Sequence, residues 1–182
     1  MPLTFIDNIR TFFANQSLKK LVKPGKEQYR FNYAQCKNVG IVYNADNKAE
    51  TRAAIELYDK LKGEGKQVAT LGYLNIDRKK TTIHPKLGYD YFYRSDLDWK
   101  FFPKNGIVDT FMNTPYGLVV DLTTQPLAAV DYVIGLSKAT TKAGHLRNSD
   151  IVFYDFMIGG LPNENIDTFA AQLIHYLKLL NN

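Results

Sequence analysis

Asp121 closes an apolar run at residues 116–122, and Asp155 lies within a second one at 151–158. A carboxyl group beside apolar sequence can have its pKa raised and work as a general acid or base. His145 follows a short expected strand and is the histidine that could face a pocket as a general base. His84 precedes Pro85 in a basic stretch, and His175 falls off the apolar side of the last helix. The catalytic candidates are therefore Asp121, Asp155 and His145. Each also has a plain structural use: capping a turn, pairing with Lys138, Lys142 or Arg147, or standing in solvent. Candidate ligand-binding residues are Asn44 and Asp46 after the first apolar run, and Thr123, Thr124 and Gln125 after the central one. Thr123-Thr124 precedes a helix, where free N–H groups and the helix dipole favour an anion. The same pair is what any capped helix presents.

Familiar catalytic devices are missing. The turn Tyr43-Asn44-Ala45-Asp46-Asn47 has no glycine to admit a pyrophosphate, so there is no GxGxxG after the first strand. No GxxxxGK[ST], GxSxG or HExxH occurs, and no His or Cys pair stands at ligand spacing. Nucleotide hydrolysis and dinucleotide oxidoreduction by those devices are disfavoured, and neither cofactor nor metal is expected.

These side chains need elements to carry them. Residues 3–22 read as a helix in which Phe5, Ile6, Ile9, Phe12 and Phe13 make one apolar stripe. Pro24-Gly25 ends it. A polar, basic connector runs to residue 37. Residues 38–43 are a β-branched apolar run, a buried strand. Asn47 and Glu50 have capping-box spacing and open a helix to residue 61, stopped by Gly63-Glu64-Gly65. Residues 67–74 complete a βαβ unit. Further strands are expected at 89–94, 116–122, 140–145 and 151–158. Helices are expected at 104–113, from Thr124 as N-cap to 137, and at 165–180. The helix after Thr124 is apolar on most sides and reads as well buried.

This order predicts an α/β fold: a three-layer Rossmann-like or flavodoxin-like, mostly parallel sheet with helices on both faces, plus an N-terminal amphipathic helix. Residues 1–37 form the basic helix and connector, and 38–182 a single α/β domain. Ligands of such sheets bind outside the carboxyl ends of the strands, near the switch point. That rule selects Asn44, Asp46, Thr123, Thr124 and Gln125.

The net charge of +5 resides in residues 1–37, which carry Arg10, Lys19, Lys20, Lys23, Lys26, Arg30 and Lys37 against Asp7 and Glu27; the rest is neutral. Cys36 is the one cysteine, so an internal disulfide is excluded. Residues 1–30 hold no apolar run fit for a signal peptide, and no stretch approaches a membrane span. A cytoplasmic location is expected.

Two resemblances follow from longer motifs. Ser95-Asp96-Leu97-Asp98-Trp99-Lys100, Phe111-Met112-Asn113-Thr114-Pro115-Tyr116-Gly117-Leu118-Val119-Val120, Leu136-Ser137-Lys138-Ala139 and Tyr154-Asp155-Phe156-Met157-Ile158 resemble a family of small Bacteroidetes proteins, a domain of unknown function. This likeness covers nearly the whole chain and implies no activity. Gly117-Leu118-Val119-Val120-Asp121-Leu122, with Gly135-Leu136-Ser137-Lys138-Ala139 and Lys142-Ala143-Gly144, is similar to a short segment of heptosyltransferase-like glycosyltransferases.

Two functions are open. The first is a non-catalytic α/β binding or interaction module that docks through its basic N-terminal helix on a protein or a small anionic ligand. Residues 1–30 would pack on the body, form a homodimer or lie on an anionic membrane surface. Nucleic acid is disfavoured, because no RRM, KH or HTH signature accompanies the charge. The second is a small hydrolase or transferase acting at the carboxyl ends of the strands.

Overall fold

In the first strand Val39, Ile41 and Tyr43 face one way and Val42 the other, and all four are fully buried. Strand side chains alternate between faces, so a strand apolar on both must be covered on both. The computed structural model, which describes residues 5–22, 31–81, 87–146, 153–159 and 165–180, meets that demand. The elements are α1 (Phe5–Leu21), β1 (Asn38–Asn44), α2 (Lys48–Gly63), β2 (Gln67–Leu74), β3 (Tyr89–Tyr93), α3 (Gly106–Asn113), β4 (Leu118–Asp121), α4 (Ala128–Leu136), β5 (Thr141–His145), β6 (Phe156–Ile158) and α5 (Ile166–Leu179).

Among the described residues six strands form one sheet in the order β3-β2-β1-β4-β5-β6, with every neighbouring pair parallel. The expected Rossmann-like α/β architecture is present. The order reverses between β1 and β4, where Val39 pairs with Leu118 and Val42 with Asp121. That is the switch point.

Helices α2 and α5 cover one face, packing Leu57, Leu61, Phe169, Leu173 and Leu177 on Ile41, Tyr43 and Val120. Helices α3 and α4 cover the other, packing Phe111, Val130, Val133 and Ile134 on Val42, Leu71 and Val119. Gly40 makes room there: a Cβ would come within 2.7 Å of the Phe111 ring.

Helix α1 lies outside this three-layer body, on α4. Its contact is not the expected Phe/Ile stripe. Ala14 and Leu18 are buried against Tyr132, and the Tyr132 hydroxyl donates to the Ala14 carbonyl (3.1 Å). Gly135 allows the close approach, since a Cβ would stand 3.0 Å from Leu18 and 3.1 Å from Val22. Tyr132 and Gly135 thus need cover outside the body, which explains why α4 is apolar on most sides. Ile9, Phe12 and Phe13 of the expected stripe stay exposed. Phe5 and Ile6 lie in a part of the helix whose side chains are outside the described residues.

Two boundaries differ from expectation. Helix α4 begins at Ala128 with Leu127 as its N-cap residue, so Thr124 caps nothing. The last strand begins at Phe156 rather than 151, and residues 151–152 lie outside the described residues.

Candidate functional site

The carboxyl ends of β1 and β4 carry the polar groups that the strand-end rule selects, and two carboxylates organise them. The first is Glu50, in the opening turn of α2. Asn47 caps that helix, its side chain accepting from the Ala49 and Glu50 amides. The Glu50 carboxylate does not reach back to the cap backbone as a capping box would. Its Oε2 accepts from the Asn44 amide (2.9 Å). Its Oε1 accepts from the Asn47 side chain (3.1 Å), the Thr124 amide (3.0 Å) and the Thr124 hydroxyl (2.7 Å). Glu50 is 1 % exposed. One buried carboxylate therefore staples the loop after β1 to the loop after β4, across the switch point. Two N–H groups at this crevice, those of Asn44 and Thr124, are spent on it.

The second is Asp121, fully buried at the end of β4. Its Oδ1 accepts from the Thr123 amide (2.8 Å) and hydroxyl (2.7 Å), and its Oδ2 from the Tyr154 hydroxyl. Tyr154 reaches it over Gly144, where a Cβ would stand 2.7 Å from the tyrosine ring. All these bonds are of the kind that hold a carboxylate in place.

The other candidates are dispersed. Asp46 is exposed, and its Oδ2 accepts from the Asn75 amide (2.6 Å), tying the loops after β1 and β2. The Asn44 side chain accepts from the Asp46 amide (3.1 Å) in a local turn. Gln125 is exposed. His145 ends β5 with its ring 5.0 Å from that of Phe169 and its Nδ1 3.0 Å from the Leu146 carbonyl. Asp155 is at the opposite end of the sheet. It precedes β6 and pairs with Lys142 early in β5, its Oδ2 accepting from the Lys142 amide (2.7 Å) while its own amide donates to the Lys142 carbonyl (2.8 Å). A strand that starts at 156 puts residue 155 at its amino end, which removes Asp155 from any site shared with Asp121. His84 and Arg147 lie outside the described residues. Asn44, Thr124 and Glu50 come together, and Asp121 joins Thr123 and Tyr154. Among the described residues, no three His, Cys, Asp or Glu side chains gather as a metal site.

A different surface stands out on the far side of α4. Trp99 is 57 % exposed at the tip of a loop that Asp98 builds: its Oδ1 accepts from the amides of Lys100 (2.8 Å) and Phe102 (3.0 Å). The turn requires Phe101 at φ 60°, a left-handed conformation that costs a non-glycine residue roughly 1–2 kcal/mol. Arg10 of α1 fastens this loop. Its Nε donates to the Trp99 carbonyl (2.8 Å), and its guanidinium lies 4.0 Å over the Phe101 ring. The Trp99 ring meets Phe13 edge-on at 5.7 Å, and Phe13 meets Phe12 at 5.7 Å.

The residues of this loop, of the switch point and of α1 from Arg10 onward all fall within one stretch, 10–180, that a single family model matches. The chain belongs to the family of unknown function DUF6913. Neither the curated proteins nor the solved structures contain a significant match. In this DUF6913 chain no helix among the described residues is long and apolar enough to cross a membrane. Two of its features were invisible in sequence: the reach of Glu50 to Thr124, and the outward set of the α1 aromatics. Only the Asn-x-x-Glu spacing pointed at Glu50, and it pointed to a local cap.

Proposed function

We propose that this DUF6913 chain is a non-catalytic interaction module, in which the Rossmann-like body is a rigid frame and the outward side of α1 with the Trp99 loop is the docking element. One observation carries the reading. At the crevice where such sheets take ligands, the chain's own Glu50 accepts four hydrogen bonds from the two flanking loops, including the Asn44 and Thr124 amides. Asp121 and Asp155 are likewise engaged by backbone amides or hydroxyls. Aromatic surface stands exposed only a helix away, on α1 and its neighbouring loop.

The buried free thiol of Cys36 supports a reducing, cytoplasmic setting as part of the proposal. The Bacteroidetes origin and the heptosyltransferase likeness carry no weight in it. The second of these runs over strands and a helix that serve as scaffold.

A thermal-shift series with nucleotides, nucleotide-sugars and sugar phosphates tests the reading. A ligand at 100 times its Kd adds about 2.7 kcal/mol, several degrees for a domain of this size. No shift is expected. A shift with one class that disappears in Thr124→Val or Asp121→Asn would overturn the module reading. It would put a ligand site at the strand ends in its place, as the hydrolase or transferase reading requires.

A further inference from the structure

We infer that the outward side of α1, together with Trp99, docks on an anionic lipid surface. The inference rests on the module reading above and names its partner. Ile9, Phe12 and Phe13 recur at i, i+3 and i+4 and are 43–59 % exposed, although α1 already has an apolar contact with the body through Ala14 and Leu18. The helix is apolar on two sides, and only one is covered. Trp99 extends the uncovered side beyond the helix.

Charge decides what covers it. Lys20 shares this side of the helix at the next turns, beyond Gln16, with Lys19 beside it, and all three are exposed. On the loop, the Lys100 ammonium lies 5.1 Å from the Trp99 ring. The carboxylates nearby are engaged by partners: Asp7 pairs with Arg10, and Asp98 binds the Lys100 and Phe102 amides and pairs with Lys104 (3.8 Å). A surface of Phe, Trp and Lys suits the membrane interface, where aromatic rings sit at headgroup depth and lysines meet anionic headgroups. A second copy of the same cationic face would be repelled. A groove for an amphipathic helix would need an apolar residue at i+7, and Gln16 stands there. Shape agrees: a helix side and a loop tip project from the body. The strained Phe101 turn holds Trp99 outward, so the ring is displayed before any partner arrives.

Trp99 is the only tryptophan in the chain, so its fluorescence reports its own burial. The test mixes the full chain with phosphatidylcholine vesicles, with and without phosphatidylglycerol, and follows both sedimentation and Trp99 emission. Sedimentation with a blue shift is expected for the anionic vesicles only, fading as salt is raised. Lys19→Ala and Lys20→Ala each weaken binding roughly five-fold. Phe12→Ser with Phe13→Ser weakens it on the order of a hundred-fold, with an unchanged melting curve showing that the fold persists. Absence of sedimentation and of a blue shift on anionic vesicles overturns the lipid assignment, as does equal binding to neutral vesicles. A blue shift that instead follows protein concentration, or added polyglutamate, also overturns it, while leaving a docking module with a protein partner. A small-molecule shift at the strand ends, indifferent to these variants, would overturn the module reading itself.

Discussion

The switch-point crevice and the α1–Trp99 surface are opposites within one molecule. At the crevice the polar chemistry is rich and largely turned inward: Glu50 and Asp121 accept seven hydrogen bonds from the loops that follow β1 and β4 and from Tyr154. On α1 the chemistry is plain: Ile9, Phe12 and Phe13 stand 43–59 % exposed, beside a loop that carries the exposed Trp99 on a left-handed turn. A folded chain satisfies its buried polar groups because leaving them unpaired is costly. A site that still binds something must leave part of its surface unsatisfied. By that test the strand-end position is the structural one in the reading proposed here, and the α1–Trp99 surface is the proposed docking part.

The contrast breaks first at Glu50. Glu50→Ala leaves the Asn44 and Thr124 amides without their acceptor, and a loss of about 3 kcal/mol is expected in urea unfolding. Glu50→Gln keeps Oε1 but aims an N–H group at the Asn44 amide, so about half that loss is expected. A Glu50→Ala protein as stable as wild type would mean that the crevice is not stapled. Asp121→Ala should cost about 2 kcal/mol, by orphaning the Thr123 amide and the Tyr154 hydroxyl. If it instead left stability intact and abolished a measurable turnover, the carboxylate would be catalytic.

Between the two extremes lies Glu64, at the foot of the sheet and 28 % exposed. Burial pushes its carboxyl pKa up, but hydrogen bonds from Lys178 (2.8 Å) and Tyr33 (2.6 Å), with the Lys178 and Lys66 charges, outweigh this and hold it below the ordinary value. A carboxyl whose folded pKa is depressed stabilises the fold above its unfolded pKa, near 4.3, and loses that contribution as pH falls through the folded value. Partial exposure limits the effect to ~1 kcal/mol or less. Glu64→Gln should therefore lower the urea midpoint at pH 7, with the gap to wild type shrinking as pH falls through the folded pKa. A gap that does not change with pH would assign the loss to packing instead of charge.

How much of this was legible beforehand follows from the range of each interaction. The strands at 38–44 and 118–121 announce themselves by apolar, β-branched runs, and the alternation with helices implies a parallel sheet, because those signals are local. The Glu50 staple is not local. Its Thr124 partner is 74 residues away, and a capping box accounts for the same glutamate without it. Asp155 was misplaced because apolar composition locates a strand but not the end at which a neighbouring carboxylate falls. For α1, Ala14 and Leu18 make a weaker pattern than Ile9, Phe12 and Phe13. The weaker pattern is nevertheless the buried one, since small residues let two helices approach and Gly135 completes the fit. Periodicity reveals apolar faces and is silent on which of two is covered.

The smallest expected effect sharpens the comparison most. Replacing a buried aromatic by a small residue costs about 3–5 kcal/mol, through lost burial and the cavity left behind. Phe12 and Trp99 keep more than half of their surface in water, so neither substitution leaves a cavity. Phe12→Ser and Trp99→Ser are each expected to leave the urea midpoint within ~0.5 kcal/mol of wild type. Arg10 holds the loop through the Trp99 carbonyl rather than the ring, so the turn survives the loss of the indole. A drop of several kcal/mol in either variant would make these rings part of the core and remove the reason to seek a partner for them. An unchanged midpoint leaves two large aromatic side chains that the fold displays and does not need, and their use must then lie outside the chain.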